Sequence, residues 1–541
     1  MFLLGSKEQK DGTILSIDFK DAFRSISLRW FYLVMERLQI PIEFIDWFKM
    51  MYRNLYIHVV INRYRSEKIY IKHGFMEGHP PSMAAFVVSL IPLMKFLEEE
   101  MAGIVTPDKK IHKIKLFADD MKLFISKLED IGKAESIISC FEKVSGLEMH
   151  RDPARGKCQA LPFGRHRSHT DWPSWITVKD EVKIVGAIFS NRGDLDKLNG
   201  NLVSKCFFDL LHKSYGIKGT LHQKVYFVNT YLFSKIWFIA QCFKIEKKTL
   251  ENILSKALNF IYAGQNERPV RPLNFRDRKI GGLGLVNPII KSKALLLKSM
   301  YREFILRDCN VNDRDSYKDI YGYTEAFSEV VKGGVNMNST RDIYGYLIDA
   351  VISRKNSVIP SRSEKRSENV KWSIAWRNWG GLRGVNAEEF EFAWKLQQDL
   401  LKIGARLHRQ NANKKCMADL GGGFCQEIES REHLFVGCER VRECSKGCLK
   451  VLGDYLGKEI PIKDFINLAF NHRNKFRLRS GVWFAVKVMY GIFTRRIFNK
   501  VQLLKDIIKE IDWNLDLNRK IGNKKDIQEM KDLIKYHLHN D

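Results

Sequence analysis

The sequence predicts an α+β domain over residues 1–190, followed by regions that are mainly helical. Three observations carry this. Short apolar runs of β character, TILSID at 13–18 and KLFADD at 115–120 leading into MKLFI, end or turn at carboxylates. Between them, segments 29–51 and 82–101 space their apolar residues as one face of a helix. From about residue 195 the helical spacing dominates, as at 205–212 and 224–243.

The chain has 541 residues and a formal net charge of +27. A length of that order accommodates roughly three or four domains. Hydrophobic residues make up 45% and aromatics 12%, enough to bury real cores, which excludes a mainly disordered chain. The excess of positive charge points to a polyanionic partner, nucleic acid or an acidic membrane surface. No run reaches the roughly 18 uninterrupted apolar residues of a spanning helix. The best segment, 83–94, stops at Lys95. The start, MFLLGSKEQKDG, has no basic n-region, so no secretory signal is expected. The expectation is an intracellular, nucleic-acid-binding protein with no membrane partner, nuclear or cytoplasmic.

Four regions follow. Residues 1–190 form the α+β domain, and 191–310 a helical connector that includes a glycine-rich break, GGLGL, at 281–285. Residues 311–370 are polar and rich in Ser, Asn and Arg, with SRSEKRSEN at 361–369, and read as a linker. Residues 371–541 are helical and basic and contain a cysteine cluster. No repeat of solenoid period is present.

The main chemical signal is carboxylates in apolar surroundings. Asp18 follows ILSI, and Asp119-Asp120 sits between two apolar stretches. Carboxylates there must be paired, protonated or bound to metal. Two strands that bring Asp18 beside Asp119 and Asp120 form an oxygen cage for two Mg²⁺ ions, the arrangement nucleotidyl transfer needs. The other reading of the same residues is that Asp18 caps a helix beginning near Phe19 and that Asp119-Asp120 form a hairpin turn.

An ordered set of motifs resembles the reverse transcriptases of non-LTR (LINE-type) retrotransposons. DFKDAF at 18–23 is similar to the family's D-x-x-K-A-F-D, and GFMEGHPPSMAAF at 74–86 to its G-x-x-Q-G-x-P-L-S-x-x-x-F. FADD at 117–120 is the Phe variant of Y-x-D-D. SGLEMH at 145–150 with Lys157, VKIVGAIF at 182–189 and GGLGL at 281–285 follow in the family's order. The resemblance covers residues 14–440.

It implies a right-hand polymerase palm and a helical thumb. The implied reaction is DNA synthesis from dNTPs on an RNA template, with a DNA primer or target and Mg²⁺ or Mn²⁺. Asp18, Asp119 and Asp120 would be catalytic and hold the metals. Lys157 would stand near the triphosphate as proton donor. Phe23 would lie under the incoming sugar and select against a 2′-hydroxyl; a core aromatic is the lesser, alternative reading of that residue. Gly74, Gly78, Pro80 and Ser82 would shape the turn beside the templating base pair, and Phe117 would belong to the same substrate-binding face. Lys183 and Gly186 would lie in the strand that grips the primer end.

The sequence departs from the family pattern in three respects. Asp18 stands 17 residues from the start, which leaves no room for the fingers strands or the endonuclease that the resemblance places upstream. The turn has Glu77, His79 and Pro81 where Gln, Asp or Cys, and Leu are usual. Arg24 replaces an Asp, and Asp21 replaces a Lys. The expectation is a truncated copy of a mobile element, weakly active or inactive, with a remnant that only binds RNA or DNA as the alternative function.

Ten cysteines are too sparse for a disulfide scaffold, yet five fall between 416 and 448. Cys416, Cys425, His433 and Cys438 form a Cys₃His set that suits structural Zn²⁺, with Gly421–Gly423 as a turn. The segment EHLFVGC at 432–438 also resembles the H-L-F-x-x-C zinc-binding segment of these elements. Buried free thiols are the other reading, and Cys444 and Cys448 are substitute ligands. Lys414, Lys415, Arg431, Arg440 and Arg442 suggest nucleic-acid contact there. Trp372, Trp376, Trp379 and Trp394 interleave with basic residues as single-strand binders do. For the first three, a buried helix face is the preferred reading.

Overall fold

The computed structural model describes residues 11–105, 111–192, 194–263, 271–306, 324–353, 370–401, 403, 415–416, 425–494, 499–513 and 524–539. The charge run 362–366, residues 519–523 of a second charge run at 519–525, Lys414 and the Gly421–Gly423 turn lie outside these. The chain divides into two compact units. One comprises 1–202, 243–245 and 302–325; the other comprises 203–242, 246–301 and 326–541.

The first unit is built on β1 (Gly12–Ile17). A short helix, α1 (Ala22–Ser25), precedes α2 (Leu28–Arg37) and α3 (Ile42–Tyr52). The run 29–51 was expected to be one helix. Pro41 divides it, because proline removes an amide donor and disfavours helix in the residue before it. Gln39 at φ 56° makes the reversal.

A hairpin follows, with strands β2 (Tyr56–Ile57), β3 (Val60–Ile61), β4 (Tyr64–Arg65) and β5 (Ile69–Tyr70). Next come α4 (Ser82–Glu100), β6 (Ile114–Phe117), β7 (Asp120–Ile125) and α5 (Asp130–Ser145). Further along lie β8 (Gln159–Phe163), β9 (Thr177–Val178), β10 (Glu181–Ile184) and β11 (Ala187–Ser190).

The central sheet runs β9-β8-β1-β7-β6, antiparallel except for the β8–β9 pair. Strand alternation assigns its faces. Leu15 and Ile17 join Met121, Leu123 and Ile125 in the main core, where Phe31, Phe86, Leu90 and Ile138 cover them. Ile14, Phe124 and Leu161 point the other way and pack with Val182. A mixed α+β domain with a helical chain after it is therefore present, as expected.

In the second unit, segment 224–243 is not one helix. It comprises parts of α6 (Leu221–Phe227), a π turn at Val228–Leu232, and α7 (Ser234–Cys242). Two helices, α8 (Thr324–Lys332) and α9 (Thr340–Ser353), occupy part of the stretch read as a linker. The polar composition of that stretch hid a stripe of Phe327, Val330, Ile343 and Leu347, all buried.

The regions divided in sequence between connector and C-terminal domain share one core here. The His222 ring lies 4.7 Å from Phe390 and 5.7 Å from Trp394. The carbonyl of Gly281 accepts from Trp394 Nε1 at 3.1 Å and Gln398 Nε2 at 2.6 Å. That explains the glycines of GGLGL. A Cβ on Gly281 would lie 2.5 Å from the Trp376 ring, and one on Gly282 would lie 1.9 Å from the Arg276 carbonyl oxygen. Trp376, Trp379 and Trp394 are buried, so these three tryptophans are core and not a stacking platform. Arg431 is also buried, donating to the Leu396 carbonyl and Asn467 Oδ1, which corrects its reading as a surface contact for nucleic acid.

Candidate active site and metal centre

The carboxylates are positioned by register. Ser16 pairs with Lys122 and Ile17 with Met121 across β1 and β7, so one further step sets Asp18 opposite Asp120. Phe117 and Asp120 close the β6–β7 hairpin, and Ala118-Asp119 form its two-residue turn. Ala118 holds φ 55°, a conformation glycine adopts far more readily, so the turn carrying Asp119 is strained. Both readings of the sequence thus meet here: Asp119 is in a hairpin turn, and the turn sits beside Asp18.

Two of the three carboxylates face cations. Asp18 Oδ2 is 3.6 Å from Lys157 Nζ and 3.8 Å from His150 Nε2. The segment bearing His150 is tied in by its backbone. Phe19 and Lys20 pair with Met149 and Glu148, and His150 N donates to the Asp18 carbonyl at 2.9 Å. Asp120 forms an ion pair with Lys122, whose ammonium also donates to Ser16 Oγ; the lysine side chain is only 6% exposed. A lysine at that depth requires a counter-charge. Lys122 and His150 were both missed in the sequence. Period-two spacing from Asp120 was the signal for the first. Position at the end of SGLEMH was the signal for the second.

The turn at 74–78 docks on α1. Gly74 N donates to the Ile26 carbonyl at 2.8 Å and Phe75 N to the Phe23 carbonyl at 2.6 Å. At φ 79°, Gly74 lies so close to Arg24 that a Cβ would be 2.4 Å from its carbonyl oxygen. The Phe23 ring stacks on Phe86 with centroids 4.5 Å apart, half-buried at the core's edge. Arg24 Nε donates to Glu77 Oε1 at 3.0 Å, so two departures from the family pattern answer each other's charge. Gly78 and Pro80 are exposed, whereas Ser82 is buried and 3.4 Å from the Tyr52 hydroxyl. Phe117 is exposed. Lys183 lies on β10, and Val185-Gly186 make the β10–β11 turn with positive φ at both residues.

Compared with known proteins, residues 4–189 match the family "Reverse transcriptase (RNA-dependent DNA polymerase)". The chain carries a reverse transcriptase domain. Over 472 residues it is 25% identical to the retrovirus-related Pol polyprotein from type-1 retrotransposable element R2 of Popillia japonica, covering 82% of this chain and 72% of that protein. The match supports a non-LTR reverse transcriptase and extends well beyond the catalytic domain.

Beyond that domain, the second unit of the chain holds a four-donor centre. The ligand atoms of Cys416, Cys425, His433 and Cys438 all lie within 4.8 Å of one another. Cys416 Sγ is 3.9 Å from Cys438 Sγ, and Cys425 Sγ is 3.5 Å from His433 Nε2. A tetrahedral ion with metal–sulfur bonds of about 2.3 Å and metal–nitrogen bonds of about 2.0 Å sets its donors roughly 3.5–3.8 Å apart, so the set fits such an ion. Local structure assembles it. Cys416 N donates to the Glu427 carbonyl, His433 N to Ser430 Oγ, and Cys438 N to the His433 carbonyl across a π turn. Cys438 then starts α10 (Glu439–Leu456). Cys444 and Cys448 lie buried along that helix, outside the four-donor group.

Among the described residues no other His, Cys, Asp and Glu group is gathered so tightly. Asp18, Asp119 and Asp120 share the tip of the sheet without converging to that degree. No helix among the described residues is long and apolar enough to cross a membrane.

Proposed function

We propose that this chain performs RNA-templated DNA synthesis, with Asp18, Asp119 and Asp120 as the metal-holding carboxylates and dNTPs as substrates. The observation that carries this is the register that sets Asp18 against the strained Ala118-Asp119 turn within the matched reverse transcriptase domain. Asp18, Asp119 and Asp120 would hold Mg²⁺ or Mn²⁺, and the bound ion would supply activation of a primer 3′-hydroxyl and neutralisation of charge on pyrophosphate. Lys157, held near Asp18, is placed to donate a proton to that pyrophosphate. Phe23, stiffened by Phe86, is the surface on which a deoxyribose packs and a 2′-hydroxyl collides. The turn containing Gly74 and Gly78, with Pro80 and Ser82, borders the templating base pair. Phe117 flanks the same face, and Lys183 and Gly186 support the primer end.

The Cys₃His centre is proposed to bind Zn²⁺ in a structural role: four donors, three of them thiols, leave no open position for a substrate. The alternative, a remnant that binds nucleic acid without chemistry, is not favoured by a chain that retains every carboxylate of the constellation. Primer extension on an RNA template with dNTPs and Mg²⁺ decides between them. Extension by wild type and none by Asp119→Ala supports the proposal; template binding without extension by either supports the remnant.

A further inference from the structure

One feature of the first unit has no part in that chemistry. Every residue from Val59 to Tyr70 is exposed, so the β2–β5 hairpin projects from the domain. A two-stranded ribbon is marginal in water on its own. This one is nevertheless well built. Asn62-Arg63 form a turn with positive φ at both positions, which matches strand twist. The inner and outer ladders are joined by Ser66 N to the Val59 carbonyl and Val59 N to Ser66 Oγ.

The ribbon has two unlike faces. Tyr56 and Tyr70 are cross-strand partners with ring centroids 6.0 Å apart. His58 lies 5.5 Å from Tyr56, and Lys68 Nζ sits 4.5 Å above the same ring. Ile57 and Ile69 pair on the opposite face. The segment from 53 to 73 carries five Lys and Arg residues against one carboxylate, Glu67. One face is therefore aromatic and cationic, on an arm that is itself basic.

We propose that the Tyr56/His58/Lys68/Tyr70 face is a docking surface for single-stranded nucleic acid. It deepens the reading above, since a template strand must approach this domain as a single strand. Exposed tyrosine rings stack on any base, whatever its identity. An ammonium fixed over one ring is within reach of the phosphate of a nucleotide whose base lies on that ring. The surrounding arginines and lysines favour a polyanion over a neutral or basic protein surface.

The test is anisotropy of a fluorescein-labelled oligo(U) strand with the full chain, titrated over a range of salt concentrations. Tyr56→Ser with Tyr70→Ser should weaken binding about tenfold or more, since stacking is worth about 1–3 kcal/mol per base. Lys68→Gln should reduce the slope of log affinity against log salt by about one. Ile57→Ser with Ile69→Ser, on the other face of the same ribbon, should leave affinity within about twofold and so controls for folding. Unchanged affinity in the tyrosine variant overturns the proposal, as does equal weakening by both pairs. A wild-type dimer that the tyrosine variant dissolves also overturns it, because the face then holds a second copy. The readout is binding, so a failure of primer extension sinks the proposed chemistry and leaves this result standing.

Discussion

Lys122 and Asp120 form an ion pair at the tip of the central sheet. The lysine is buried, while Asp120 is 39% exposed, so the two partners are not equivalent. Asp120→Asn removes the charge that a buried ammonium needs and should destabilise the domain by roughly 2–3 kcal/mol, less than the roughly 3–5 kcal/mol of a fully buried pair because Asp120 is partly exposed. Lys122→Met leaves a carboxylate that water can still reach and should cost less. The double variant should recover most of the loss from Asp120→Asn, which denaturant unfolding of the four proteins measures as a coupling energy. Additive losses would show that the pair contributes no mutual stabilisation. Arg24 and Glu77, by contrast, are exposed at 71% and 63%, and such pairs contribute at most about 1 kcal/mol. Their pairing leaves Glu77 with a compensating charge at the turn proposed to border the template.

Among the elements, the GGLGL loop and the helices packed around it are the most constrained. Gly282→Ala would drive a methyl into the Arg276 carbonyl and should cost about 1–3 kcal/mol or more through forced backbone shifts. A thermal scan that leaves the transition unmoved would show that the loop relaxes freely. His222 stands in the same core among Trp379, Phe390 and Trp394. Among the described residues neither ring nitrogen has a hydrogen-bond partner. Burial, reinforced by the nearby Arg278 charge, lowers its pKa from 6.5 to about 3. The unfolded chain takes up this proton first as pH falls. The stability associated with a neutral His222 is therefore full above pH 6.5 and is lost progressively toward pH 3, by up to about 1.4 kcal/mol per pH unit. His222→Phe should flatten that acid limb in urea titrations at pH 7 and pH 5. An identical limb in the variant would place the acid sensitivity elsewhere.

At the scale of the whole molecule, the two proposed metal sites fall in different units. Asp18, Asp119 and Asp120 belong to one and the Cys₃His centre to the other. Metal binding to such a centre is folding free energy for the unit that contains it. Calorimetry should therefore show a chelator such as 1,10-phenanthroline lowering the transition of the second unit while leaving that of the first in place. Cys438→Ser should reproduce the shift and lower bound zinc; unchanged metal content would reject the centre. The sequence by itself determined the order of chemical motifs, the strands leading to Asp18 and Asp120, and the candidate Cys₃His set. Each of these rests on residue type and short spacing along the chain. Only the tertiary structure decided that Lys122 and His150 attend the carboxylates, because cross-strand register and the loop ending at residue 150 bring distant positions together. It also decided that Trp394 is core, that Arg431 is buried and that the connector and C-terminal helices share one interior. Polarity and aromatic content are the same for a buried and an exposed side chain, and only packing distinguishes the two. The tyrosine face of the projecting hairpin was hidden for the same reason. Its short β-branched run resembles any strand of a covered sheet until the fold leaves it uncovered.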